Sequence, residues 1–132
     1  MIGVLVADAD AVARTRLATV LREEADVLVY EAEDGPEAMR LGLQLRPDVA
    51  LLDLDLPRLG GPDVARTLRN LEPSMRIALQ GPDRRALHDR ASGLGLPLLA
   101  KADGDVLVDW ALAQIRWLTA HRPAIRQVPI AI

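Results

Sequence analysis

Asp53 closes an apolar run, Val49-Ala50-Leu51-Leu52, and is followed by Leu54-Asp55-Leu56-Pro57, a second acid and a proline that stops the run. A parallel strand covered on both faces reads as unbroken apolar sequence, and an acid at its carboxyl end can surface beside the sheet. Asp53 is therefore the first candidate for chemistry, although an Asp beside Pro and Gly is also a good turn residue. The same placement recurs elsewhere: Asp8 follows Val4-Leu5-Val6-Ala7, and Lys101 follows the segment Leu96-Pro97-Leu98-Leu99. Carboxylates from two loops and an ammonium from a third could converge on one pocket. Lys101 is the only lysine among 16 basic residues. A compact point charge on a flexible stem differs chemically from the flat guanidinium used everywhere else, though an Arg-biased chain could also leave a single lysine by chance.

The elements that would position these groups alternate. Strand-like runs at Val4 to Ala7, Val27 to Tyr30, Val49 to Leu52, Ile77 to Leu79 and Leu96 to Leu99 are separated by segments of helical period. Helix starts are marked by Asp10, Asp34-Gly35-Pro36, Gly61-Pro62-Asp63, Pro82-Asp83 and Asp103-Gly104-Asp105. About five βα units joined this way predict an α/β doubly wound parallel sheet with helices on both faces. Its working edge is the set of strand carboxyl ends.

Composition excludes several classes of function. A chain of 132 residues, 50% of them hydrophobic, can bury a core as one domain. There is no cysteine, hence no disulfide framework and no thiolate site. The amino terminus has no basic n-region or cleavage site, and no apolar stretch can span a bilayer, so we expect a soluble cytoplasmic protein with no membrane role. A net charge of −3 and 2% aromatics argue against direct nucleic-acid binding.

From the first strand to about Trp117 the chain resembles the receiver domain of two-component response regulators. Asp8 and Asp10 look like the acidic pocket after the first strand, Asp53 sits where that family carries its phosphoryl acceptor, Pro57 and Gly61 fall where it turns into its third helix, and Lys101 falls at its phosphate-pairing lysine. The resemblance implies a flavodoxin-like (βα)5 fold with a five-stranded parallel sheet, and phosphorylation of Asp53 by a histidine kinase or phosphotransfer protein. It implies magnesium held by Asp8, Asp53 and the backbone carbonyl of Asp55. It implies no enzyme beyond self-phosphorylation and self-dephosphorylation at Asp53.

Three positions depart from the pattern. Ala9 stands where receivers carry a second adjacent acid, which should weaken magnesium binding. Asp10 could compensate, but it is more simply read as a helix N-cap. Gln80 replaces the small hydroxyl residue that moves toward the phosphoryl group, and could itself donate to Asp53 or accept from Lys101. Leu98 replaces the aromatic partner of that hydroxyl and should simply pack.

The last helix, expected between Val106 and Leu118, carries two apolar faces: Leu107, Val108, Ala111, Leu112 and Ile115 on one, Val106, Trp110, Ala113 and Trp117 on the other. With the first face toward the core, Trp110 and Trp117 would look outward beside Leu98 as an interface for a downstream protein or a second copy of the chain. We expect the receiver to span 1–118 and a tail to span 119–132, which could pack over the Trp face, swap to a neighbour or be a linker stub. His88 and His121 read as solvated side chains.

Two further readings compete with a phosphorylated receiver. One is a pseudo-receiver, an adaptor or dimerisation module independent of phosphorylation, favoured by Ala9, Gln80 and Leu98. The other is a phosphohydrolase of the haloacid dehalogenase type, because Asp53-Leu54-Asp55 resembles its nucleophile and acid pair; against it stands the absence of a cap to exclude water.

Overall fold

The computed structural model describes residues 1–122. Its elements alternate as expected: β1 Ile2–Ala7, α1 Ala11–Arg22, β2 Val27–Ala32, α2 Gly35–Leu45, β3 Val49–Asp53, α3 Gly61–Leu71, β4 Arg76–Gly81, α4 Arg84–Ala91, β5 Leu98–Ala100 and α5 Val106–His121. Short 3₁₀ turns occupy Ser92–Leu94 and Lys101–Asp103. The strands form one sheet in the order β2-β1-β3-β4-β5, and every neighbouring pair is parallel.

Period-two alternation sends each strand's side chains to two cores. Leu5, Ala7, Ala50, Leu52, Ile77 and Leu79 pack with α2, α3 and α4. Val4, Val6, Val49, Leu51 and Ala78 pack with Leu17 and Leu21 of α1 and Ala111 and Ile115 of α5. All of β3 is buried, which is why it reads as continuous apolar sequence. Continuing the alternation, Asp8, Asp53 and Gln80 follow Val6, Leu51 and Ala78 by two residues and belong to the α1/α5 side.

Capping residues set the helix starts. Asp10 accepts from the Val12 and Ala13 amides, Asp34 from Glu37 and Asp83 from Ala86. α3 begins after Gly60 with no side-chain cap and Pro62 in its first turn. β5 is shorter than expected at its start, because Pro97 has no N–H to give the ladder; its carbonyl still accepts from Leu79 N at 3.0 Å.

α5 also departs from expectation. It continues to His121, so Thr119 to His121 of the expected tail are helical, and the rest of the tail, 123–132, lies outside the described residues. Arg122 ties the helix end to β1 and β3, pairing with Asp48 and donating to the Met1 carbonyl at 2.9 Å. At the β2 edge of the sheet, Arg22 donates to the Val29 carbonyl at 3.0 Å and pairs with Glu31. No helix among the described residues is long and apolar enough to cross a membrane.

Candidate functional site

Asp8, Asp53 and Lys101 meet beyond the carboxyl ends of β1, β3 and β5. Lys101 Nζ lies 2.7 Å from Asp8 Oδ2 and 3.8 Å from Asp53 Oδ2, so one ammonium bridges two carboxylates. Asp8 and Asp53 are only 3% and 8% exposed, which makes their charges costly without that partner. Burial first, then the adjacent Asp8, push the Asp53 carboxyl up from 3.8 to about 6, against the lowering effect of Lys101. Burial works against the Lys101 ammonium, yet its hydrogen bond to Asp8 and the charges of Asp53, Asp8 and Asp10 hold it above its ordinary value.

The supporting contacts are local. Asp8 Oδ1 accepts from the Asp10 amide at 2.9 Å, and the Asp8 carbonyl accepts from Arg14 Nη1 at 2.8 Å. Arg14 is itself paired with Glu31 at 3.2 Å. Asp53 is fixed from below: Leu54 N donates to the Gln80 carbonyl at 2.7 Å, and the α3 start abuts the Asp53 backbone at Gly61. A Cβ at Gly61 would sit 2.2 Å from the Asp53 carbonyl oxygen, so the residue there has to be glycine.

Asp10 follows its simpler expectation, whereas Gln80 does not. Asp10 is engaged as the α1 cap and is not turned to the pocket, because its carboxylate satisfies two orphan amides of the helix start. Gln80 is 2% exposed but bonds neither Asp53 nor Lys101. Its Nε2 reaches past β3 and donates to the Ala7 carbonyl of β1 at 3.3 Å. The length of Gln lets it span a strand that a short hydroxyl residue could not. The Asp55 carboxylate turns away to pair with Arg90 of α4, so Asp53 and Asp55 do not form a convergent acid pair.

Leu98 packs, as expected, but against the α2/α3/α4 core, whereas Trp110 is half-buried against the α1/α5 core. They are therefore not one outward patch. Trp117 is 47% exposed; Arg76 lies 4.2 Å over its ring and His121 stacks on it at 4.0 Å. His121 is thus a stacking residue rather than a freely solvated one, while His88 is exposed.

Sequence reasoning missed Arg14, Arg84 and Arg90. Among 15 arginines nothing local distinguishes the three that touch the site's loops. Magnesium prefers oxygen donors and is commonly held through one or two carboxylates while retaining waters. Asp8 and Asp53 meet that requirement in kind, but among the described residues no three metal-ligating side chains converge. The donor set suits a weakly held ion.

A parallel sheet carrying an acid, an acid and a lysine at the carboxyl ends of its first, third and fifth strands defines a receiver architecture. The chain belongs to the response regulator receiver domain family, whose family model matches residues 4–91. That membership decides against the haloacid dehalogenase reading. Among curated proteins it is 38% identical over 96 residues to protein-glutamate methylesterase/protein-glutamine glutaminase 1 of Myxococcus xanthus, covering 72% of this chain and 28% of that protein. It is 33% identical over 122 residues to the transcriptional regulatory protein PdtaR of Mycobacterium tuberculosis, covering 89% of this chain and 60% of that protein. The chain thus spans only part of the curated relatives it matches. Among solved structures it resembles the signal receiver domain of the NarL response regulator from M. tuberculosis, with 30% identity, a TM-score of 0.73, and 87% and 96% of the two chains covered. The response regulator domain of Thermotoga maritima CheB matches with 25% identity and a TM-score of 0.65 over 98% and 99% of the chains.

Proposed function

We propose that this receiver accepts a phosphoryl group on Asp53 from a histidine kinase or a phosphotransfer protein, and acts by binding a downstream protein. The observation that carries this reading is the partly exposed ammonium of Lys101 bridging the buried carboxylates of Asp8 and Asp53. An Asp53 carboxylate oxygen attacks phosphorus, the bond from phosphorus to the donor's ring nitrogen breaks, and the imidazole keeps the electron pair. Lys101 is within reach of the new acyl phosphate and would pair with one of its oxygens. Attack of water on phosphorus later returns the Asp53 carboxylate and releases inorganic phosphate, so the chain's own chemistry is confined to its own acceptor.

Asp8, the Asp53 carboxylate and the Asp55 carbonyl would hold magnesium, with Ala9 leaving that site one acid short. When bound, the ion screens charge between the carboxylate and the incoming phosphoryl group. The reading places the protein in the cytoplasm, where such donors act, and gives it no direct contact with nucleic acid. Trp117 on α5 is the surface residue best suited to a downstream protein or to a second copy of the chain. The receiver unit of the proposal spans 1–118, extended by the last turn of α5.

Ala9 and the Lys101–Asp8 contact favour a second reading, a pseudo-receiver in which the ammonium stands permanently as the site's cation. Intact mass after incubation with acetyl phosphate and magnesium separates the two. A phosphoryl adduct that is absent from Asp53→Asn is the expected result; no adduct at high magnesium would establish the pseudo-receiver.

A further inference from the structure

α4 has little apolar anchorage. Of its eight residues only Leu87 and Ala91 are buried. Two arginines hold the rest of it, one near each end. Arg90 pairs with the Asp55 carboxylate, and its Nη2 donates to the Leu54 carbonyl at 3.4 Å. Arg84 Nε donates to Asp103 Oδ2 at 2.7 Å, and the hydrogen bond and charge of Asp103 hold its guanidinium above its ordinary value. Arg85 pairs with Asp89 within the helix, so it reaches neither loop.

The partners' positions give the pairs their meaning. Asp55 stands two residues after Asp53, and Asp103 stands two residues after Lys101. Charge therefore ties α4 to both loops that carry the site's reacting groups. Both pairs are exposed at the arginine, 47% for Arg90 and 84% for Arg84, so a small loop movement suffices to remake them. Meanwhile Gln80 is committed to the Ala7 carbonyl and Leu98 to the core, so neither is free to relay a change at Asp53.

Resting on Asp53 as the group whose charge changes, we infer that Arg84 and Arg90 read that change and transmit it to α4. Lys101 stands between Asp8 and Asp53, and it begins the 3₁₀ turn that ends at Asp103. A stronger charge on Asp53 draws the ammonium across, the turn follows, and Arg84 follows its partner. On the other side, Arg90 senses the loop between β3 and α3 through Asp55 and Leu54. α4 is then repositioned by charge, with no moving hydroxyl and no swinging aromatic ring.

Hydrogen exchange of the Arg84–Ala91 amides at neutral pH tests this without phosphorylation. Asp53→Asn and Lys101→Met are each compared in the native background and in a protein carrying Arg84→Ala with Arg90→Ala, with α2 amides as the internal reference. We expect both site substitutions to change α4 exchange about two- to fivefold in the native background, and less than about 1.5-fold without the arginines. Reversing one pair, Arg90→Asp with Asp55→Arg, should restore the response to the Arg90→Asp protein. Exchange at α4 that ignores both site substitutions, or a response undiminished without the arginines, overturns the inference. The intact-mass experiment stands apart: a missing adduct overturns the acceptor reading, whereas this exchange pattern decides the role of the arginines.

Discussion

Asp53 is held in a state that costs the fold something. The native protein keeps its proton up to about pH 6, whereas the unfolded chain releases it near 3.8. Between those values the native state binds more protons than the unfolded one, so stability from this group is lost as pH rises from about 4 to about 6 and stays lost above it. Asn carries no such penalty. Asp53→Asn should therefore raise stability at neutral pH by about 1–3 kcal/mol, read as a higher thermal midpoint. The gain should shrink as pH falls through that window and vanish below about pH 4. Asp8, Asp53 and Lys101 were legible in the sequence because each ends an apolar strand, where topology leaves only one edge to occupy. Asp10 was legible as a cap from the helical period after it. The reach of Gln80 was not, since it depends on which carbonyl lies across the neighbouring strand. Arg14 was hidden for a different reason: its role depends on Glu31 of β2, a partner 17 residues away.

At the scale of elements, the acceptor strand and α3 are built to touch. Gly61→Ala places a methyl group 2.2 Å from the Asp53 carbonyl oxygen and 2.9 Å from its carbon, and backbone on both sides cannot step aside cheaply. Urea unfolding should show a loss of more than about 2 kcal/mol, with the phosphoryl adduct reduced although Asp53 is intact. Gly93→Ala is the control, because nothing lies within 4 Å of a Cβ there, and its stability should change little. The five βα units were readable from caps and periods, since Asp10, Asp34 and Asp83 mark starts that local hydrogen bonding alone enforces. Strand ends were less readable. β1 and β4 extend beyond their apolar centres because pairing with neighbours, rather than hydropathy, sets where a strand stops.

For the whole molecule, the two tryptophans separate cohesion from association. Trp110 packs against the α1/α5 core, and Trp117 is 47% exposed under Arg76. Thermal unfolding should register Trp110→Ala as a loss of about 1–3 kcal/mol, and Trp117→Ala as less than about 1 kcal/mol. If α5 joins two copies, Trp117→Ala should abolish the dimer in sedimentation while leaving the thermal midpoint nearly unchanged. The sequence disclosed that α5 has two apolar faces but not how deeply each sits, because depth depends on the curvature of the sheet beneath it. The contact between Arg22 and the Val29 carbonyl bears on assembly too. β5 is only three residues long and follows Pro97, so β2, six residues long with Leu28 45% exposed, is the edge on which a foreign strand could add itself. Arg22, donating to the Val29 carbonyl, sets a charged side chain against that strand, the kind of feature that opposes fibril-like growth by edge-to-edge pairing.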